Sequence, residues 1–240
     1  ADRLQPNILV QWAFYLSIFL MPFTRLYLPG TGDRIGVTRL VQVLMVCAAL
    51  SQPRVCLRMV PMALVALFAY CVFRIGVGFW LAPEWSESWW PSTLGWIQFN
   101  LPWVWLMFNV LRFPRTGRRG LWALVGGCTL CALFHISGLG AGAVAHGYEG
   151  RSTIFGENAN VVGATYAIAM IVLVGFCMLK DVAFRHRLLA IALFGIIGIS
   201  LAKTGSRTAV LLLVMGIGVL LLQARSFAPR ARRYASLLLV

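Results

Sequence analysis

The chain has 240 residues and a formal net charge of +14; 60% of its residues are hydrophobic, 12% are charged, and mean hydropathy is +0.82. A soluble domain is roughly half apolar and about a quarter charged, so this composition excludes a water-soluble globule, and its apolar content excludes a disordered chain. The runs are continuous rather than alternating, which argues against an outer-membrane barrel and for an all-α, polytopic transmembrane bundle forming a single domain over 1–240.

About 20 apolar residues cross a bilayer. On that scale the spans fall at 8–28, 35–50, 57–82, 94–111, 120–145, 158–179, 188–202 and 207–223, with a ninth opening at about 235. The connections alternate in charge. Arg54 and Arg58 lie in 51–58, and Arg112, Arg115, Arg118 and Arg119 in 112–119. Lys180, Arg185 and Arg187 lie in 180–187, and Arg225, Arg230, Arg232 and Arg233 in 224–233. These share a side with Arg3, against Asp2 and Asp181 alone. The other connections hold Arg34, Arg151, Lys203 and Arg207 with Asp33, Glu84, Glu87, Glu149 and Glu157. Cytoplasmic loops collect Lys and Arg, so the N-terminus is expected in the cytoplasm. The acidic connection PEWSESWWPSTLGW carries Trp85, Trp89, Trp90 and Trp96, an aromatic belt at the outer interface.

Arg25, Arg39 and Arg74 fall inside spans, all in the outer half. A charge there is costly and marks a site unless it snorkels. The six cysteines include the C-x-x-C of Cys128 and Cys131 inside an apolar span, which reads as packing. His135 is in the fifth span. A metal site needs three or four convergent ligands, which His146, Glu149 and Glu157 could supply, but a loop histidine needs no function. No P-loop, dinucleotide fingerprint or nucleophile elbow is present, so neither a cofactor nor a metal is expected, and the loop-borne charge does not call for nucleic acid. The chain opens on Ala1 and stops within SLLLV, so more protein is expected after Val240.

Two outer connections precede helices that run inward: HGYEGRSTIFGENAN (146–160) and AKTGSRTAV (202–210). Asn158 or Asn160 is placed to cap the first helix, and Ser206 or Thr204 the second. Arg151 lies just upstream of the first cap. Arg207 stands in the first turn of the second helix, with Lys203 just before it. A cation at a helix N-terminus is locally unfavourable and is explained by an anion that uses both dipole and guanidinium.

The stretch R-S-T-I-F-G-E-N-A-N (151–160) resembles the R-x-x-G-x-x-x-N-P-N that precedes a span in the O-antigen ligase and polymerase superfamily of bacterial inner-membrane glycan transferases. T-G-S-R-T-A-V-L-L-L (204–213) resembles that superfamily's S-R-G/T-A segment. Glu157 and Ala159 depart from the pattern, which often has Asn and Pro there. The resemblance covers 150–215 by motif and the remainder by layout only. It implies a membrane glycosyltransferase of lipopolysaccharide biosynthesis with its active face periplasmic. The donor would be an undecaprenyl-diphosphate-linked glycan and the acceptor lipid A–core within the membrane. Arg151 and Arg207, assisted by Lys203, Arg39 and Arg74, would hold the diphosphate, while a base histidine would lie after Val240. A polymerase or O-linked protein glycosyltransferase of the same superfamily is the nearest alternative, and a transporter or flippase for an anionic lipid the more distant one.

The assigned sidedness has a direct check. In a cysteine-free background, an impermeant thiol reagent added from outside should label Glu84→Cys and Gly147→Cys and should miss Arg118→Cys and Arg230→Cys. Labelling of Arg118→Cys reverses the orientation.

Overall fold

The computed structural model describes residues 5–23, 26, 36–81, 86–143, 152–179 and 182–227. In chain order these form α1 (Ile8–Phe19), a 3-10 turn (Met21–Phe23), α2 (Val37–Leu50), α3 (Pro53–Cys56), α4 (Met62–Leu81), α5 (Ser86–Leu111) and α6 (Pro114–Ser137). The strands β1 (Ala141–Ala143) and β2 (Ser152–Ile154) follow, then α7 (Ala159–Met178), α8 (Phe184–Thr204) and α9 (Arg207–Phe227). The chain is a helical membrane protein. Among the described residues, four helices are long and apolar enough to cross a bilayer: α4 over Leu64–Leu81, α6, α7 and α8.

That is four, where composition and run length lead to nine. Helices do occupy the first eight expected segments, but several fail as spans for identifiable reasons. The α1 helix stops at Phe19 and gives way to the turn containing Pro22, whose ring removes an amide donor and ends helical pairing. Its 12 residues cover about 18 Å at 1.5 Å per residue, and the 14 of α2 about 21 Å, against a core of about 30 Å. The α5 helix is long enough at 26 residues, yet Glu87, Pro91, Gln98, Asn100 and Asn109 dilute its apolarity. It also begins at Ser86, so the tryptophan-rich segment expected as a connection is largely helical. Likewise α6 begins at Pro114, where proline suits a first turn, and takes Arg115, Arg118 and Arg119 into the helix. The expected ninth span, and Arg25, lie outside the described residues. The all-α reading misses one element, the antiparallel hairpin β1–β2, which pairs Ala141 with Ile154 and Ala143 with Ser152.

The chain divides into two units, 1–18 with 27–120 and 19–26 with 121–240. In the first, Asn7 caps α1 through Val10 N at 2.8 Å and ties it to the end of α2, donating from its backbone N to Gln52 Oε1 at 2.8 Å and from its amide to Ser51 Oγ at 3.1 Å. The deepest polar side chain is Asn109, fully buried near the end of α5. It accepts from Met59 N at 3.1 Å, and its amide donates to Met59 O at 2.9 Å and Trp105 O at 3.1 Å. Trp105 Nε1 donates to the same Met59 carbonyl at 2.6 Å. The peptide leading into α4 is thereby clamped to α5.

In the second unit α7 is the most buried span and packs against both α8 and α9. Trp122 of α6 stacks on Phe176 of α7 with centroids 4.6 Å apart. Ser200 of α8 donates to Ala132 O of α6 at 3.0 Å. Gly127 of α6 lies directly on the Phe19 carbonyl, a contact no larger residue permits.

The Asn109 clamp gives a stability prediction. Asn109→Leu preserves bulk and leaves the Met59 N–H without its acceptor, at about 1–3 kcal/mol for a buried polar group left unpaired, while the Met59 carbonyl keeps the Trp105 indole. Thermal unfolding in detergent should show a lower midpoint; an unchanged midpoint removes the clamp from the account of this unit.

Candidate functional site

The two segments singled out in the sequence meet in the second unit. After β2 the chain reverses through Phe155 and Gly156, both with positive φ, at 53° and 71°. Phe155 N donates to Gly140 O at 2.7 Å and Glu157 N to Ile154 O at 3.0 Å, closing the turn. Asn158 then caps α7, accepting from Asn160 N at 2.8 Å. Glu157, which departs from the superfamily pattern, accepts from Asn158 N at 3.0 Å. An acidic group at a helix start is favoured by the dipole, so Glu157 supports this cap.

The second segment is a helix–turn–helix joint. α8 ends at Thr204, whose hydroxyl donates to Leu201 O at 2.7 Å, and Gly205 takes the left-handed conformation of a C-cap (φ 59°). Ser206 caps α9, its Oγ accepting from Ala209 N at 3.3 Å. That same hydroxyl donates to Asn160 Oδ1 at 2.9 Å. The starts of α7 and α9, 46 residues apart in sequence, are joined by this one hydrogen bond. Gly163, one turn further along α7, allows the approach. A Cβ there would meet Ala209 Cβ, Ser206 Cβ and Thr204 Oγ1 at 2.9–3.1 Å.

The cations divide around this joint. Arg207 is exposed in the first turn of α9. Lys203, also exposed, donates from Nζ to Ile136 O at 3.3 Å, at the C-terminal end of α6. Cations stabilise helix C-termini, so Lys203 serves α6 rather than standing beside Arg207. Arg39, in the first turn of α2, and Arg74, two turns before the end of α4, are exposed and belong to the first unit. Arg151 lies outside the described residues, as do Arg34, His146 and Glu149. Among the described residues no group of three His, Cys, Asp or Glu is placed to hold a metal.

One buried cluster has only a weak sequence signal. His135 is 1% exposed, with Nε2 2.7 Å from Ser152 Oγ and its ring stacked on Tyr166 at 6.3 Å. Its Nδ1 is buried without a partner among the described residues. Tyr166 donates to Cys131 Sγ at 3.4 Å, and Cys128 lies against the Thr165 carbonyl at 3.8 Å. The sequence offers Cys128, Cys131 and His135 at helical spacing (i, i+3, i+7). Ser152 and Tyr166, brought in by β2 and α7, could not be read from it. The cysteines are free, as packing residues would be.

No protein family, curated protein or solved structure matches the chain.

The joint is testable as a unit. Ser206→Ala removes a cap and the bond to Asn160, and should cost about 1–2 kcal/mol. Asn160→Ala removes the bond alone. The double variant should be less destabilised than the two single effects added, by roughly 0.5–1.5 kcal/mol. Strict additivity in denaturant unfolding means that the two side chains do not interact.

Proposed function

We propose that this chain is an O-antigen-ligase-like glycan transferase. On this reading it holds the diphosphate of an undecaprenyl-linked donor at the periplasmic face of the bacterial inner membrane, and the glycan passes to lipid A–core. The observation that supports the reading is the joint at Ser206 and Asn160. Two segments that resemble the superfamily's motifs, far apart in sequence, share a hydrogen bond, and the exposed Arg207 stands in the first turn of one of the two helices that begin there.

The chemistry is coherent. A diphosphate leaves readily once its charge is neutralised, and two helix starts with a guanidinium offer oriented donors to the developing anion without a metal. Arginine supplies a fork that matches two phosphate oxygens. In this scheme Arg207 and Arg151 are the principal diphosphate ligands. Lys203 acts through α6, and Asn158, Asn160 and Ser206 set the positions of the two helix starts. An acceptor hydroxyl needs a general base, for which the scheme assigns no residue of this chain.

Transfer from a purified lipid-linked donor, or lipopolysaccharide laddering in cells, tests the reading. Arg207→Ala should reduce transfer about ten- to hundredfold, the worth of a charged hydrogen-bonding partner at roughly 1.5–3 kcal/mol. Arg207→Lys keeps the charge and loses the fork, and should recover little. Arg151→Ala should resemble Arg207→Ala, while Arg118→Ala should transfer normally. Full laddering by well-expressed Arg151→Ala and Arg207→Ala variants defeats the proposal.

A further inference from the structure

A groove in the first unit lies apart from the joint described above. Val60, Leu64 and Phe68 line one side, and Leu101, Pro102 and Trp105 of α5 line the other, enclosing about 390 Å³. That volume falls in the usual range of small-molecule pockets, about 300–1,000 Å³, but the walls are apolar and lack the convergent polar groups such pockets carry. Its extent along α5, from Ile97 to Trp105, is about 12 Å at 1.5 Å per residue. That is less than half of a hydrocarbon core of about 30 Å. A partner transmembrane helix would use a face of about 20 residues, whereas a lipid chain of a single leaflet fits a groove of this length.

One end of the groove is marked by charge. The Met59 peptide, clamped by Asn109 and Trp105, fixes the backbone between Arg58 and Val60 against the last turns of α5. Arg58 is exposed two residues before Val60, and Arg112 is exposed immediately after α5. Neither 36–81 nor 88–120 contains an acidic residue, so those segments supply no carboxylate to these guanidinium groups. An apolar groove one leaflet deep, ending at two arginines, is complementary to a lipid with an anionic headgroup.

We propose that the α4–α5 groove binds one anionic bilayer phospholipid, with an acyl chain between Leu64 and Leu101 and the headgroup phosphate at Arg58 and Arg112. The site is independent of glycan transfer and stands or falls separately from it. A bound chain covers part of α4, in which Cys71 is the one buried residue among those whose side chains are described.

The purified chain in mild detergent, titrated in native mass spectrometry with dioleoyl phosphatidylglycerol or dioleoyl phosphatidylethanolamine, tests this, because the two lipids share their chains and differ in net charge. Phosphatidylglycerol should bind at least about tenfold more tightly, given a worth of about 1 kcal/mol for each arginine near an anionic headgroup. Arg58→Ala with Arg112→Ala should bring its affinity down to that of phosphatidylethanolamine. Arg185→Ala with Arg225→Ala removes the same charge from the other unit and should leave the preference intact. Val65→Trp fills the groove from its exposed rim and should weaken both lipids. Leu64→Ala removes part of a wall and should do the same, which keeps the test open if the tryptophan variant misfolds. Equal binding of the two lipids by the wild type overturns the proposal. So does a preference that survives loss of Arg58 and Arg112, or one lost equally in the control pair. Wild-type lipid binding by folded Val65→Trp or Leu64→Ala places any lipid elsewhere and also overturns it.

Discussion

The second unit is organised around the hydrogen bond from Ser206 Oγ to Asn160 Oδ1. Ser206 has two functions at once: its oxygen accepts an amide of α9, and its proton goes to α7. A serine hydroxyl has one donor and two acceptor positions, so these bonds are compatible, but the donor is committed. Asn160 is constrained in turn by the Asn158 cap. Two helix starts that would otherwise be independent become one rigid feature, and Gly163 makes the necessary approach possible. With a side chain at that position the two helix starts would have to move apart by a few tenths of an ångström.

The same economy governs buried polar groups elsewhere. In an apolar medium each unpaired backbone group is expensive, and this chain satisfies its irregular peptides with side chains from distant helices. Asn109 holds both polar groups of Met59 across 50 residues. Ser200 reaches a carbonyl of α6, and Thr165 and Thr129 bond back within their own helices. His135 is an exception, with one ring nitrogen paired to Ser152 and the other buried without a partner among the described residues. Whichever tautomer is present, one nitrogen lacks a partner among them, so the exception is intrinsic to the arrangement.

The sequence reveals where the helices are more readily than which of them span. Apolar runs locate helices because a run of Leu, Val, Ile, Ala and Phe suits both lipid and helix. Length is decided by local chemistry that hydropathy averages away. Pro22 stops α1, and Pro114 starts α6 early enough to include three arginines. The site follows the same division. The caps Asn158 and Ser206 were legible because Asn and Ser before an apolar run have a fixed physical meaning. That Asn160 would bridge to Ser206, rather than compete to cap α7, depends on a tertiary approach with no local signature. The β1–β2 hairpin was hidden for a related reason: its strands are three residues each, too short to show alternation.

Lys203 and Arg207 illustrate why position outweighs charge. Read along the chain, they are two cations flanking one turn, and either could face an anion. In the structure they stand four positions apart, near the end of one helix and at the start of the next. Lys203 meets the carbonyl end of α6, where a cation is already favoured and needs no further partner. Arg207 occupies the amide end of α9, where its charge opposes the dipole and the local caps are filled by Ser206. A cation held at a helix start is destabilised until an anion arrives that interacts with both the amides and the guanidinium. On the proposed reading, an external anion would therefore engage Arg207 rather than Lys203.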